Sequence, residues 1–285
     1  KICANPSHPH HPRFIAVALV MMLFSDRTGR FALLVLLAFA LLALAFSIVV
    51  PPFESPDELY HYGFVRHVAA GNGLPVQSAT STGPWEQEGS QAPLYYLLAG
   101  ALSAGIDQAD FDAIAVRNPH ANIGDPLYPG NKNRMLYSGG PPLPLTGANL
   151  ALHLGRWLSV VLGLVTLACT YATARLAFPG RNAAALAAVA IVAFLPQFGF
   201  IAGSLNNDNM VTAMAAATVL WLAHLVAMPR TRAPVWWEWS VLGVLLGLAA
   251  LSKLQGLGLF VLAGLAVLGM AWQRRDWRLP LRLSQ

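Results

Sequence analysis

The sequence predicts an all-α integral membrane protein of about six transmembrane helices, with a long extracytoplasmic first loop that carries juxtamembrane helices. Three observations predict it. The 285 residues are 56% hydrophobic and 11% charged, with mean hydropathy +0.53, too apolar for a soluble domain of this length. Apolar runs of spanning length recur along the chain. The formal net charge of +5 comes from short basic clusters beside those runs, which is the pattern of cytoplasmic loops and not of a nucleic-acid surface. Two cysteines, Cys3 and Cys169, leave no disulfide framework and no cysteine metal site.

Residues 1–30 read as a cytoplasmic N-terminal segment. Its Phe14–Phe24 run is too short to span and reads as an interfacial helix or an over-extended start, and His8, His10 and His11 sit in a Pro-rich tail. A transmembrane domain then covers 31–272. Its first span, 31–50, follows Arg27 and Arg30, which puts its start on the cytoplasmic side. Pro51-Pro52 stops that helix. The loop 51–150 holds nine acidic residues against four basic ones, which places it outside. Within it, Pro93–Ile106 is expected to lie along the outer membrane surface, with Tyr95 and Tyr96 at headgroup level; 71–91 and 107–150, rich in Gly, Pro and Asn, read as irregular loop.

Further spans are expected at 157–178, 183–205 and 210–228, their ends alternating between arginines and Asn206-Asn207-Asp208. The last apolar stretch, Trp236–Trp272, would be about 55 Å long as one helix, nearly twice the thickness of a bilayer core. It is expected to turn back at Ser252–Gly256, giving spans 236–252 and 254–272 and a basic cytoplasmic tail, 273–285.

This topology gathers Asp57, Glu58, His61, Glu88, Gln91, Arg156, Asn206, Asn207, Asp208 and Lys253 at the outer boundary. Ion-coupled transporters place charges near the midplane, so the distribution fits interfacial chemistry better. In Ser55-Pro56-Asp57-Glu58, Ser55 suits an N-cap, Pro56 a first helical residue and Glu58 a capping box. The same helix puts Asp57 and His61 on one polar face, which capping does not require. Lys253, between two apolar runs, either snorkels to the headgroups or meets a lipid phosphate, and Arg156 offers the same two readings. Asn206-Asn207-Asp208 also suits a helix cap.

Pro56-Asp57-Glu58 with its aromatic-histidine run, Gln91-Ala92-Pro93-Leu94-Tyr95-Tyr96, Arg156-Trp157-Leu158-Ser159, Ala174-Arg175-Leu176-Ala177-Phe178, Ser204-Leu205-Asn206-Asn207-Asp208 and Gly247–Lys253, in this order, resemble the GT-C superfamily of membrane glycosyltransferases. The pattern is nearest the protein O-mannosyltransferase and aminoarabinose-transferase group. The resemblance implies transfer of a hexosyl or pentosyl unit from a polyprenyl-phosphate sugar to a lipid, glycan or protein acceptor. That reaction would take place on the extracytoplasmic face of a bacterial inner membrane, within cell-envelope assembly, and without nucleic acid. Asp57 maps to the family's base. Relatives carry His or Lys before Pro-Pro-Leu where this chain has Gln91 and Ala92, so Lys253 or Arg156 would have to serve the donor phosphate. Relatives also tend to be longer, so the chain reads as an N-terminal portion.

The expected sites are therefore catalytic Asp57, Glu58 and His61, the last orienting Asp57; donor-phosphate residues Lys253, Arg156 and Gln91; and substrate-binding Glu88, Tyr95, Asn207 and Asp208. A single inverting displacement has Asp57 take the acceptor's proton as the new bond forms. No cofactor is required with certainty; a divalent cation held by Glu58 is one alternative to Lys253 or Arg156 for charge compensation. A lipid or ion transporter and a non-catalytic membrane subunit are the rival readings.

Overall fold

The structure is a computed structural model that describes residues 24–78, 83–122, 127, 129–130, 132–137 and 145–275. The histidine cluster, most of the Phe14–Phe24 run, Asp125, Asn131 and the tail beyond Arg275 lie outside the described residues.

Helix α1 (Arg27–Val49) begins where Asp26 accepts the Gly29 N–H at 2.7 Å, an N-cap the sequence reading did not assign. Its Leu33, Leu37 and Leu41 are exposed, an apolar surface of the kind a bilayer covers. Two short helices follow the first span, α2 (Glu58–Ala69) and α3 (Leu94–Ser103), with a single 3₁₀ turn at Glu86–Ser90 between them. They pack closely. A Cβ at Gly100 would stand 2.7 Å from the Val68 side chain, and one at Gly63 would stand 2.5 Å from the Pro84 carbonyl.

α3 is too short to cross the membrane alone, at about 15 Å against a core of about 30 Å. Its tyrosines are not at headgroup level, however. Tyr95 and Tyr96 are fully buried in the protein, while Leu97, Leu98 and Leu102 form the exposed face. The reason is that both hydroxyls find protein partners: Tyr95 meets Ser159 Oγ at 2.8 Å and the Gly155 carbonyl at 3.1 Å, and Tyr96 meets His61.

The loop beyond α3 is less irregular than expected. A short helix, α4 (Phe111–Ile114), is followed by an antiparallel bridge, Arg117 to Met135. Glu54 ties this bridge to the end of the first span by accepting the Arg134 and Met135 N–H groups and the Tyr137 hydroxyl at 2.7–3.1 Å.

The central helix is α5 (Gly147–Ala177), which starts ten residues before the expected Trp157 and so carries Arg156 into its third turn. It packs against α1, α3 and α8. The expected span 183–205 is instead broken into α6 (Asn182–Ala193) and α7 (Pro196–Ala202), bent by 62°. Pro196 explains the bend, because it has no N–H to give and forces Leu195 into extended backbone. α8 (Asp208–Ala227) follows, then α9 (Trp236–Ser252), a 3₁₀ turn at Leu254–Leu257 and α10 (Gly258–Arg274), so the last apolar stretch does turn back where expected. Among the described residues four helices are long and apolar enough to cross a membrane, α10 being counted from Leu254, or five with the α6–α7 pair counted as one span; α9, at 17 residues, is shorter.

Asp26 and Arg175, paired at 3.0 Å, mark one end of the bundle. The turn after α1, with α2, α3 and the start of α8, marks the other.

Candidate functional site

Two carboxylates adjacent in the chain enter very different surroundings at this second end. Glu58 is fully buried against Arg156, also fully buried, with Oε1 accepting from Nε at 2.9 Å and Oε2 from Nη2 at 2.6 Å. Arg156 spends its remaining donors on the end of α1: Nη1 reaches the Ser47 and Val50 carbonyls at 2.7 and 2.8 Å, and Nη2 reaches Pro51 at 3.1 Å. Glu58 also accepts the N–H groups of Phe53 at 3.0 Å and Leu205 at 2.9 Å. All five guanidinium donors and all four carboxylate acceptor positions are used. Arg156 therefore has no donor left for a phosphate, and Glu58 has no lone pair left for chemistry or for a cation. Both expectations are corrected: the pair holds the tail of α1, the start of α2 and the chain before α8 together.

The expected cap at Ser55 is corrected as well. α2 begins at Glu58, and the residue before it is Asp57, in the left-handed region at φ +56°. Phe53 is also left-handed, at φ +65°. Two non-glycine residues held this way within five positions store strain, of about 1–3 kcal/mol each. Aspartate tolerates the conformation better than most residues. The Asp57 carboxylate makes no cap hydrogen bond and has no hydrogen-bond partner among the described residues.

Around Asp57 lies a cluster drawn from four segments. His61, one turn along α2, is buried, with Nδ1 2.8 Å from the Tyr96 hydroxyl and 3.3 Å from Glu88 Oε2. It does not orient the Asp57 carboxylate as expected; its ring turns toward α3. Burial, with a smaller push from Lys253, takes the imidazole down to about 3, so it is neutral at pH 7. Burial and then the Asp57 carboxylate push Glu88 above the usual carboxylate value. Lys253 pairs with Asp208, and both act on His61 and Glu88. Asn207 is fully buried and offers its amide to Gln91 at 3.4 Å, while its Oδ1 has no donor. Residues far apart in sequence, Asp57, Glu88, Gln91, Asn207, Asp208 and Lys253, thus meet at one end of the bundle. Tyr95 stands behind them, its hydroxyl occupied by Ser159, Gly155 and the Asn206 N–H, which makes it a brace and leaves nothing for substrate.

On its other side Asp57 lines a cleft of about 180 Å³ with Tyr60, Arg117, Asn118 and Arg134. Arg117 lies over the Tyr60 ring at 5.3 Å and pairs with Glu86 at 2.9 Å. Among the described residues no three His, Cys, Asp or Glu side chains are placed to hold a metal ion together. Glu58, the residue considered above as one alternative holder of a divalent cation, has all four acceptor positions occupied.

Residues 149–282 match the family model described as dolichyl-phosphate-mannose-protein mannosyltransferase. The S. cerevisiae protein O-mannosyltransferase Pmt1–Pmt2 complex bound to the sugar donor is similar in fold, with a TM-score of 0.60 at 19% identity. That likeness covers 94% of this chain and 32% of that one, so this chain spans about a third of the length of its solved relative. The family match covers just under half of the chain, and the structural likeness is one of fold. No curated protein sequence matches it.

The candidate site mixes residues legible in the sequence with residues that were not. Asp57, Lys253, Glu88, Asn207, Asp208 and Gln91 come together as expected. Tyr96, whose hydroxyl fixes His61, was missed because it was read as a headgroup anchor. Tyr60 and Arg117 were missed because nothing in their spacing pairs them with Asp57; only the Arg117–Met135 bridge brings that loop back.

Proposed function

We propose that this protein is a membrane glycosyltransferase that takes its sugar from a polyprenyl-phosphate donor on the extracytoplasmic face of a bacterial inner membrane. One observation carries the reading. A carboxylate without a hydrogen-bond partner among the described residues, in a strained backbone, borders both a lysine-bearing cluster and a small cleft of mixed polar and apolar lining. The matched family's name, a dolichyl-phosphate-mannose transferase, and the sugar donor bound by the solved relative support it.

Lys253 lies where a lipid phosphate would meet the bundle end, and is a compact cation suited to one. Gln91 and Asn207 line the same side and offer amides to sugar hydroxyls. The cleft, smaller than the ~300–1,000 Å³ that encloses a whole drug-sized ligand, takes the reacting end of an acceptor: a lipid, glycan or peptide hydroxyl. The acceptor oxygen attacks the anomeric carbon as the carbon–oxygen bond to phosphate breaks, and that electron pair leaves on the phosphate. The acceptor's proton passes to Asp57 in the same step, since a carboxylate is too weak a base to take it beforehand. A single displacement inverts the anomeric centre.

The test is to incubate full-length protein with labelled polyprenyl-phosphate sugars and follow loss of label from the lipid. Asp57→Asn is expected to slow transfer by about 10²–10⁴ while helical content and expression stay unchanged. Transfer at the wild-type rate would remove Asp57 from the mechanism.

A further inference from the structure

We propose that Asp208 is a resident stand-in for the donor's phosphate: its carboxylate holds the Lys253 ammonium while the site is free and moves aside when a prenyl phosphate enters. This rests on reading Lys253 as the phosphate's cation. Three observations carry it beyond that reading.

The first is an asymmetry of exposure. In the Lys253–Asp208 pair the lysine side chain is 18% exposed and the aspartate 47%. The cation is the fixed member and the carboxylate the one able to leave toward solvent. The second is that Asp208 can move without cost to its helix. It opens α8, but its side chain makes no cap hydrogen bond there, the N-cap residue being Asn207, and its own N–H is taken by Asn206 Oδ1 at 2.8 Å. The third is that the adjoining wall lacks a partner. Asn207 is fully buried, with an Oδ1 that no donor among the described residues reaches. A buried acceptor of this kind costs about 1–3 kcal/mol until something donates to it, and a hydroxyl of the arriving sugar would.

Charge then dictates an exchange. Lys253 pairs with Asp208, Glu88 feels the charges of both and of Asp57, and His61 adds no positive charge. The ammonium has three donors but a single positive charge, so it does not neutralise Asp208 and a phosphate together. A sugar phosphodiester brings a single negative charge, the same as the carboxylate it displaces, so the charge paired with the ammonium is unchanged while Asp208 turns toward solvent. After transfer the lipid leaves as a phosphate monoester, whose second ionisation near pH 6 adds charge that nothing in the cluster matches. The return of Asp208 to Lys253 then favours release of the product.

The experiment measures binding directly, so that it does not depend on turnover. Full-length protein is titrated with farnesyl phosphate, a monoester, and with farnesyl methyl phosphate, a diester. Wild type is expected to bind both, and Lys253→Gln to lose both. Asp208→Asn is expected to tighten the monoester on the order of tenfold, more than the diester, and Asp208→Glu to behave as wild type. In Asp208→Asn/Lys253→Gln the gain should vanish. Asp208→Ser repeats the test should the asparagine variant fold poorly. If Asp208→Asn and Asp208→Ser instead weaken binding as much as Lys253→Gln does, Asp208 merely positions the lysine and the stand-in is overturned, while the phosphate reading survives. If Lys253→Gln binds like wild type, the phosphate reading falls, and the stand-in with it.

Discussion

The Glu58–Arg156 and Lys253–Asp208 pairs both join an acid to a base at the same end of the bundle, yet they are built in opposite ways. The first is fully buried, bidentate and saturated, its spare donors and acceptors spent on the carbonyls of α1 and the N–H groups of Phe53 and Leu205. The second is partly exposed and held through one pair of atoms, beside an asparagine oxygen with no partner. A fully satisfied network fixes geometry and has nothing left to offer a substrate. A poorly satisfied one is where a ligand gains most by binding. The Asp57-Glu58 dipeptide divides along the same line: Glu58 is consumed by the fold, while Asp57, in a strained turn, has a carboxylate with no hydrogen-bond partner among the described residues.

The largest effect expected from this contrast is at Arg156. Lysine in its place has three donors for five acceptors and leaves Glu58 and the α1 carbonyls partly bare. Arg156→Lys should therefore cost about 3 kcal/mol or more, read as a lowered unfolding midpoint in detergent. Lys253→Arg, by contrast, should leave that midpoint nearly unchanged. Equal losses at the two positions would erase the distinction between them.

A smaller effect, visible only on acidification, is expected at His61. Its folded value of about 3 lies below the unfolded value near 6.5. Above pH 6.5 both states are neutral and the stability is fully present. As the pH falls toward 3, the unfolded chain takes up a proton the folded one refuses, at about 1.4 kcal/mol per pH unit. Glu88, raised by burial and by Asp57, acts with the opposite sign, its contribution being lost as the pH rises through its folded value. Unfolding midpoints measured between pH 7 and pH 4 should fall less steeply in His61→Gln than in wild type. An unchanged slope would mean that the imidazole is not buried neutral.

How much of this was legible in the sequence follows from what each feature depends on. Apolar runs and basic clusters fix where helices lie, and the turn at Ser252–Gly256 falls where helix length against bilayer thickness requires it. Pro196 was a readable signal that was passed over, and it breaks a span that hydropathy alone draws as continuous. Arg156 offered a hint too: a cation inside a long apolar helix needs a buried acid, and the carboxylates after the first span were the nearest supply. Which of them it takes is decided by the two left-handed residues Phe53 and Asp57, which turn Glu58 inward. No periodicity encodes that choice. Tyr95 and Tyr96 failed as headgroup anchors because the belt rule concerns aromatic residues that lack protein partners, and these two have them.

The division of labour between Asp57 and Glu58 is tested most directly by thermal unfolding of two single-atom variants, Asp57→Asn and Glu58→Gln, measured side by side on the full-length protein. The expected result is a wild-type midpoint for Asp57→Asn and a loss of about 3–5 kcal/mol for Glu58→Gln, which leaves Arg156 buried without its counter-charge. A wild-type midpoint for Glu58→Gln, or an equal loss in both, would contradict it.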